Sequence, residues 1–141
     1  MSRNSFTLIE LLIVISLLFI IGASLSPFVT RTLSDVNLST SAQNILTTLR
    51  KAQTYAMDDK ENTVWGVCVN ASSLYLFHTA CSPGNYRETI TLPATITLGG
   101  LSTITFSGYR GEPDATPTIT LTSSSGTKTI TVNSTGAVFL N

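Results

Sequence analysis

Apolar residues dominate the first part of the chain almost without interruption. From Phe6 to Val29 the sequence reads FTLIELLIVISLLFIIGASLSPFV, in which Glu10 is the one ionisable side chain. At about 1.5 Å per residue, a helix of this length crosses a hydrocarbon layer about 30 Å thick. The pattern therefore predicts a membrane-spanning helix over residues 6–29.

Beyond this segment the apolar residues narrow to a stripe. They recur at alternating steps of four and three residues, the spacing of one helix face: Leu38, Ala42, Ile45, Leu49, Ala52 and Ala56. The pattern predicts that the helix continues, now amphipathic, over residues 30–57. A helix of this total length would extend about 78 Å. We therefore expect its first half to anchor the chain and its second half to pack a globular head.

The last part of the chain, residues 58–141, has the composition of strands and turns, rich in Thr, Ser, Val and Ile and broken by Gly, Asn and Pro. Polar and apolar alternation predicts strands at 63–70, 73–79, 87–92, 103–106, 118–122, 129–132 and 137–140. Runs of strands after one helix favour antiparallel pairing over βαβ units. The predicted fold class is α+β, with a long N-terminal helix packed against a β-rich globular head.

Charge composition narrows the range of functions. Eight basic and eight acidic residues give the chain a formal net charge of +0, and only 11% of its 141 residues are charged. A neutral chain lacks the long-range attraction on which nonspecific binding of nucleic acid depends. Its length predicts one domain rather than a multidomain enzyme.

The short segment before the apolar run predicts the orientation of the chain. Arg3 is the one charged side chain there, so the positive-inside rule keeps the N-terminus cytoplasmic and places the residues after Val29 outside. A cleaved secretory signal peptide is the alternative, since it also combines a positive start with an apolar core. The run here exceeds the usual core of about 7 to 15 residues and contains a carboxylate, which favours an anchor.

Glu10 requires an explanation of its own. An ionised carboxylate inside a membrane helix costs about 2.5 to 3.5 kcal/mol, so it predicts a function and a cationic partner. No Lys, Arg or His lies one helical turn away in the sequence. Cleavage between Ser5 and Phe6 would create an α-amino group four residues before Glu10 and supply the missing charge.

The segment SFTLIELLIVI, Ser5 to Ile15, resembles the prepilin signature of type IV pilins and type II secretion pseudopilins. The resemblance implies that a prepilin peptidase removes residues 1–5 and that Phe6 becomes the N-methylated first residue. It also implies that Glu10 neutralises the N-terminal amine of a neighbouring subunit during filament assembly. Glycine is usual where Ser5 stands, and a larger residue there can slow processing. Gly22 and Pro27 stand where pilin helices are often kinked.

The rest of the chain is similar to the GspH/FimT group of minor pilins and pseudopilins. The similar segments are AQNILTTLRKAQTYAM in the helix and VWGV, SLYLF, ITFSG, ITL and ITVN in the strands. The resemblance implies two small sheets packed on the helix, and a subunit of low copy number that primes a filament or lies at its tip. The implied partners are other pilin or pseudopilin subunits, the prepilin peptidase and the inner-membrane assembly platform. The implied location is the bacterial inner membrane, and then a periplasmic or extracellular filament.

Cys68 and Cys81 are the only cysteines. In an oxidising extracytoplasmic space two thiols usually pair, which predicts a disulfide between them. Together with His78 they fall short of the four ligands that a structural zinc site needs, so we expect no metal. The sequence contains no nucleophile-elbow, H-E-x-x-H or phosphate-loop motif, so we expect no enzyme activity and no cofactor.

Two other functions remain open. One is a DNA-binding minor pilin of a competence pilus, in which basic side chains contact DNA and neighbouring tyrosines stack on bases. The candidate contacts are Arg87, Arg110 and Lys128. Against this hypothesis, a glutamate follows each arginine within two residues. The other alternative is a membrane-anchored binding domain that never polymerises.

Processing gives the first testable prediction. In cells that contain a prepilin peptidase, we expect the mature chain to begin at Phe6 with a methylated amine, because a short basic leader directly precedes the apolar segment. Mass spectrometry of the mature N-terminus measures this. A protein that retains Met1, or that begins far beyond Phe6, would contradict it.

Overall fold

The computed structural model describes residues 7–58 and 60–141. Within them one long helix, α1, spans Leu8–Met57, and a short 3-10 helix spans Lys60–Asn62. The strands are β1 Trp65–Asn70, β2 Ser73–His78, β3 Tyr86–Thr91, β4 Thr97–Gly99, β5 Thr103–Phe106, β6 Thr118–Ser123, β7 Gly126–Val132 and β8 Val138–Leu140. The chain divides into two units, one that ends at Leu33 and a second, here called the head unit, that spans Ser34–Asn141.

The predicted apolar stripe on the second half of α1 is confirmed. All six of its residues are at most 2% exposed. Three of them are alanines, which are fully or almost fully buried despite their small side chains. The predicted end of the helix at Met57 is also confirmed.

Two antiparallel sheets of four strands pack against this stripe. The first sheet has the order β3-β2-β1-β5 and the second has the order β4-β6-β7-β8. Tight turns join β1 to β2 and β6 to β7, where Asn70 pairs with Ser73 and Ser123 pairs with Gly126. The α+β fold class and the two small sheets expected from the resemblance are therefore both confirmed.

Each sheet buries one face in a core that it shares with α1. The first sheet contributes Trp65, Val67, Leu74, Leu76, Ile104 and Phe106, and the second contributes Ile119, Leu121, Ile130, Val132 and Val138. Cross-strand pairing places these side chains beside each other, as for Val67 with Leu76 and for Ile119 with Ile130. Full burial of one such side chain stabilises the fold by about 1.5 to 3 kcal/mol.

The structure differs from the sequence prediction at β4. No strand was expected at Thr97–Gly99, yet this segment pairs with β6, with Leu98 opposite Leu121. The segment is three residues long and runs into the pair Gly99-Gly100, which is turn composition. Its strand conformation comes from a partner more than twenty residues away in sequence, so no local pattern reveals it.

The outer face of the first sheet carries a second, smaller apolar layer. Phe77 is 1% exposed on this face, and its ring lies against Gly66, where an added Cβ would come within 2.8 Å of the ring. Cys68 lies on the same face and forms a disulfide with Cys81 of the β2–β3 loop, with Cα atoms 6.2 Å apart. The disulfide therefore fixes this loop over the outer face of the sheet.

The outer face of the second sheet is lined by threonines. Three cross-strand pairs bring them together: Thr118 with Thr131, Thr120 with Thr129, and Thr122 with Thr127. Because alternate residues of a strand face opposite sides, the segments Thr118–Thr120 and Thr129–Thr131 place threonine outside and Ile119 and Ile130 in the core.

Loops from both sheets meet at the last turns of α1. The Gln53 side chain donates a hydrogen bond of 3.0 Å to the carbonyl oxygen of Gly111, in the β5–β6 loop. Gly136, in the β7–β8 loop, has a φ of 82°, and an added Cβ would lie 2.2 Å from the same carbonyl oxygen. Only glycine fits at position 136, because a side chain would push the two loops apart.

The disulfide can be tested on the full chain in detergent. We expect no titratable thiol in the unfolded, unreduced protein and two after reduction, because Cys68 and Cys81 are joined. A Cys68→Ala/Cys81→Ala double variant should lose about 3 kcal/mol of unfolding free energy, the value for a loop of this size in the chain-entropy model. Two free thiols before reduction would show that the pair is not formed.

The loop junction gives a further prediction. We expect Gly136→Ala to destabilise the chain by at least about 1 kcal/mol more than Gly84→Ala, measured by chemical unfolding. Both positions have positive φ, but a Cβ at Gly84 meets no described atom within 4 Å, so this control variant has only the backbone cost. Equal losses of unfolding free energy in the two variants would show that the close contact at Gly136 does not affect stability.

Candidate assembly site

The first turns of α1 present an apolar surface. Every large apolar side chain there is between 44% and 81% exposed: Leu8, Ile9, Leu11, Leu12, Ile13, Val14, Ile15, Leu17, Leu18, Phe19, Ile20 and Ile21. These positions surround the helix and leave no polar face. A helix that is apolar all round requires an apolar environment on all sides.

Among the helices of residues 7–58 and 60–141, none combines the length and the apolar character that are needed to cross a membrane.

Thr7 caps the start of α1. The backbone N–H of Glu10 donates to the Thr7 hydroxyl oxygen at 3.3 Å and to the Thr7 carbonyl oxygen at 3.1 Å. Thr7 and Glu10 thus stand at the N-cap and N3 positions, the spacing of a capping box. The T-x-x-E pattern of a helix start is readable in the sequence from Thr7 to Glu10.

The exposed carboxylate of Glu10 lies in the first turn of α1, where the partial positive charge of the helix terminus favours an anion. The ion pairs among residues 7–58 and 60–141 are Lys51–Glu88, His78–Glu61, Arg87–Glu61 and Arg110–Glu112. Glu10 takes part in none of these four. The described part of the chain therefore does not neutralise Glu10 with a side chain.

Two exposed small residues follow the apolar turns. Gly22 and Ala23, with Ile15, Leu18 and Phe19, line a shallow groove along one side of α1. Small residues allow another helix to approach closely. Gly22 and Pro27 both lie within α1, and the kink predicted there stays a prediction. Ser5 and Phe6, the predicted cleavage site, lie outside the described residues.

The three candidate DNA contacts lie on separate elements. Arg87 is on β3 of the first sheet and forms an ion pair with Glu61. Arg110 is in the β5–β6 loop, with its guanidinium 3.4 Å from a Glu112 carboxylate oxygen. Lys128 is on β7 of the second sheet. Two of the three cations are thus paired with carboxylates, and DNA contact by this set stays a prediction.

The structure also shows the positions of the three residues considered as metal ligands. Cys68 and Cys81 are joined in the disulfide. His78 lies with its Nδ1 3.9 Å from a Glu61 carboxylate oxygen and 3.3 Å from the Thr79 hydroxyl. Within the residues that the structure describes, no three His, Cys, Asp or Glu side chains form a group suited to a metal ion.

Sequence reasoning missed a polar pocket between α1 and the edge strand β3. Its lining is Lys51, Tyr55, Glu61, Trp65, Leu76, Arg87 and Glu88. The Lys51 amine donates a hydrogen bond to Glu88, which raises the pKa of the amine above its ordinary value. The two ion pairs here join residues 37 and 26 positions apart, so no local sequence pattern reveals them. Such exposed pairs contribute little to stability.

Comparisons with known proteins agree with this architecture. Residues 41–136, more than half of the chain, match the GspH family, described as "Type II transport protein GspH". Among solved structures, the minor pseudopilin EpsH from the type 2 secretion system of Vibrio cholerae is similar, with a TM-score of 0.59 and 15% sequence identity. The alignment covers 74% of this chain and 96% of the EpsH chain, and it shows a shared fold. A search of the curated proteins finds no match.

The family match begins within the helical stripe and ends before β8, so it covers most of the core of the head unit. The chain belongs to the GspH family of type II transport proteins.

Proposed function

We propose that this chain is a minor pseudopilin of a type II secretion system, with a structural role in priming the filament or at its tip. The observation that carries the proposal is Glu10, a carboxylate in the first turn of a helix whose surrounding side chains are apolar and exposed. The family match and the fold shared with EpsH support it. The similarity of the head unit to the GspH/FimT group, rather than any contact in the structure, supports a minor subunit over a major one.

The anchor is the first half of the helix. We propose that residues 6–29 of the sequence span the inner membrane, a stretch that includes positions outside the described part of the chain. The exposed apolar side chains from Leu8 to Ile21 support this, since water would penalise every one of them. In this proposal the groove at Gly22 and Ala23 receives another helix of the filament.

Glu10 then determines how subunits align. After cleavage before Phe6, the new amine would lie at the helix N-terminus, where its positive charge opposes the local dipole. A carboxylate of an adjacent subunit at the same membrane depth would neutralise it. Inside an apolar bundle each charge is costly without the other, so the pair fixes the axial position at which a new subunit docks.

The proposed partners follow from this arrangement. They are the other pseudopilins, the prepilin peptidase that removes residues 1–5, and the assembly platform of the inner membrane. The proposed chemistry is packing and charge pairing between subunits, with no bond made or broken after maturation.

Two variants separate the charge of Glu10 from its capping geometry. We expect Glu10→Gln to be inserted and processed normally, yet to be incorporated into the filament about tenfold less or worse, because the partner amine loses its counter-ion. Glutamine at N3 still completes a capping box, so the helix start is retained. Glu10→Ala removes both functions and should incorporate no better than Glu10→Gln.

Thr7→Ala is the matched control, since it removes the N-cap and keeps the charge. Incorporation is measured by co-purification with the partner pseudopilins after crosslinking in cells, normalised to the amount of processed protein. Normal incorporation of a processed Glu10→Gln variant would contradict the charge-pairing role. It would favour the capping role or an anchored domain that does not polymerise.

A further inference from the structure

One loop of the head unit holds a strained aromatic residue in solvent. Tyr109, in the β5–β6 loop, has a φ of 64° and is 80% exposed. The left-handed region is unfavourable for a bulky side chain, and glycine or asparagine would fit there without this cost. Since an exposed ring gains little from packing in its own chain, the fold does not explain the choice of tyrosine. Strain of this kind is a reason to look for a function.

The strained loop is closed by its own hydrogen bonds. We call residues Ser107–Glu112 the tyrosine loop. Four hydrogen bonds close it: Ser107 N–H to the Glu112 carbonyl at 2.8 Å, Gly111 N–H to the Ser107 carbonyl at 3.0 Å, Arg110 N–H to the Gly108 carbonyl at 2.8 Å, and Glu112 N–H to the Ser107 hydroxyl at 3.0 Å. A loop that is ordered in advance loses less conformational entropy on binding than a mobile one.

The chemistry of the loop fits a protein partner. Tyr109 and the neighbouring Arg110, whose side chain is 78% exposed, are the residue types most enriched at the energetic centres of protein interfaces. Glu112 and Asp114 lie close to Arg110 in sequence and balance its charge, so this loop has no surplus of cations. A polyanion such as DNA is therefore not favoured, whereas an apolar pocket beside one carboxylate would accept both side chains.

The position of the loop leaves it accessible. Gly111 packs against Gln53 and Met57, at the last turns of α1. Within the head unit, this end of the helix is the one remote from Ser34, where the unit begins. In the proposed filament, an exposed loop of the head unit is accessible to the head of a neighbouring subunit.

We propose that Tyr109 and Arg110 form a docking contact with a neighbouring pilin-like subunit, which offers an apolar pocket for the phenol ring and a carboxylate for the guanidinium. This inference rests on the proposed function. It adds a specific head-to-head contact to the helix packing and Glu10 pairing proposed above.

Site-specific photo-crosslinking tests the contact in cells that produce the complete secretion apparatus. A photoreactive phenylalanine analogue replaces Tyr109, and the crosslinked product is identified by mass spectrometry. We expect one pilin-like subunit as the main product. The matched control carries the analogue at Phe139, an aromatic residue on β8 that is 52% exposed, and should not give this product.

Three results would overturn the inference: no product from position 109, a product with DNA or a secreted protein, or the same subunit product from both positions. The proposed function is tested separately, by measuring incorporation of the same protein into the filament. Normal incorporation without a crosslink would reject the docking contact alone, whereas absence of the wild-type chain from any filament would reject the proposed function.

Tyr109→Gly distinguishes docking from a structural role. Glycine fits the positive φ, so the full chain in detergent should keep or raise its Tm. Co-purification of the subunit identified by crosslinking should fall at least fivefold, and Arg110→Lys, which keeps the charge but not the planar fork, should show a smaller loss. A lower Tm for Tyr109→Gly would mean that the ring supports the fold, and the inference would fail.

Discussion

The head unit depends on one face of one helix. Within the described residues, both sheets bury their apolar sides in one core with α1, and several of the strands are only three or four residues long. Short strands in a small sheet are not stable alone, so both sheets require the stripe between Leu38 and Ala56. The stripe and the inner faces of both sheets form one buried cluster. Without the second half of α1 there would be no common core.

The same helix has to satisfy two different surroundings. One face of its second half is buried among the side chains of the head unit, whereas its first half exposes leucine, isoleucine and phenylalanine. Because α1 is continuous from Leu8 to Met57, the element that organises the head unit also carries the apolar segment. The loops of both sheets end on its last turns through Gln53, Gly111 and Gly136, which ties the far side of the head unit to the same element.

Features encoded by neighbouring residues were predictable. The stripe from Leu38 to Ala56 follows from the helical period, and the tight turns follow from polar residues between alternating strands. β4 was missed because its strand conformation depends on pairing with β6. The Lys51–Glu88 pair was missed for the same reason, since it joins residues that only the folded chain brings together.

The same distinction applies to the candidate assembly site, where only features encoded by neighbouring residues were predictable. Glu10 was identified because a single carboxylate interrupts an apolar run, and its proposed role came from a resemblance rather than from geometry. Its position three residues after the capping residue Thr7 was also readable from the sequence, but it was overlooked. The strain at Tyr109 had no sequence signal, because the sign of a φ angle is determined by how the loop closes.

The cap at Thr7 has a consequence for maturation. The hydroxyl and the N–H that it binds both lie downstream of the bond between Ser5 and Phe6. A peptidase that cuts there would change the charge at the beginning of the chain but would leave the first hydrogen bonds of the helix intact. The hydrogen bonds of the helix start therefore do not depend on the proposed removal of the leader. A subunit could wait in its uncut form with the helix already in place, and cleavage would act as a change of electrostatics alone.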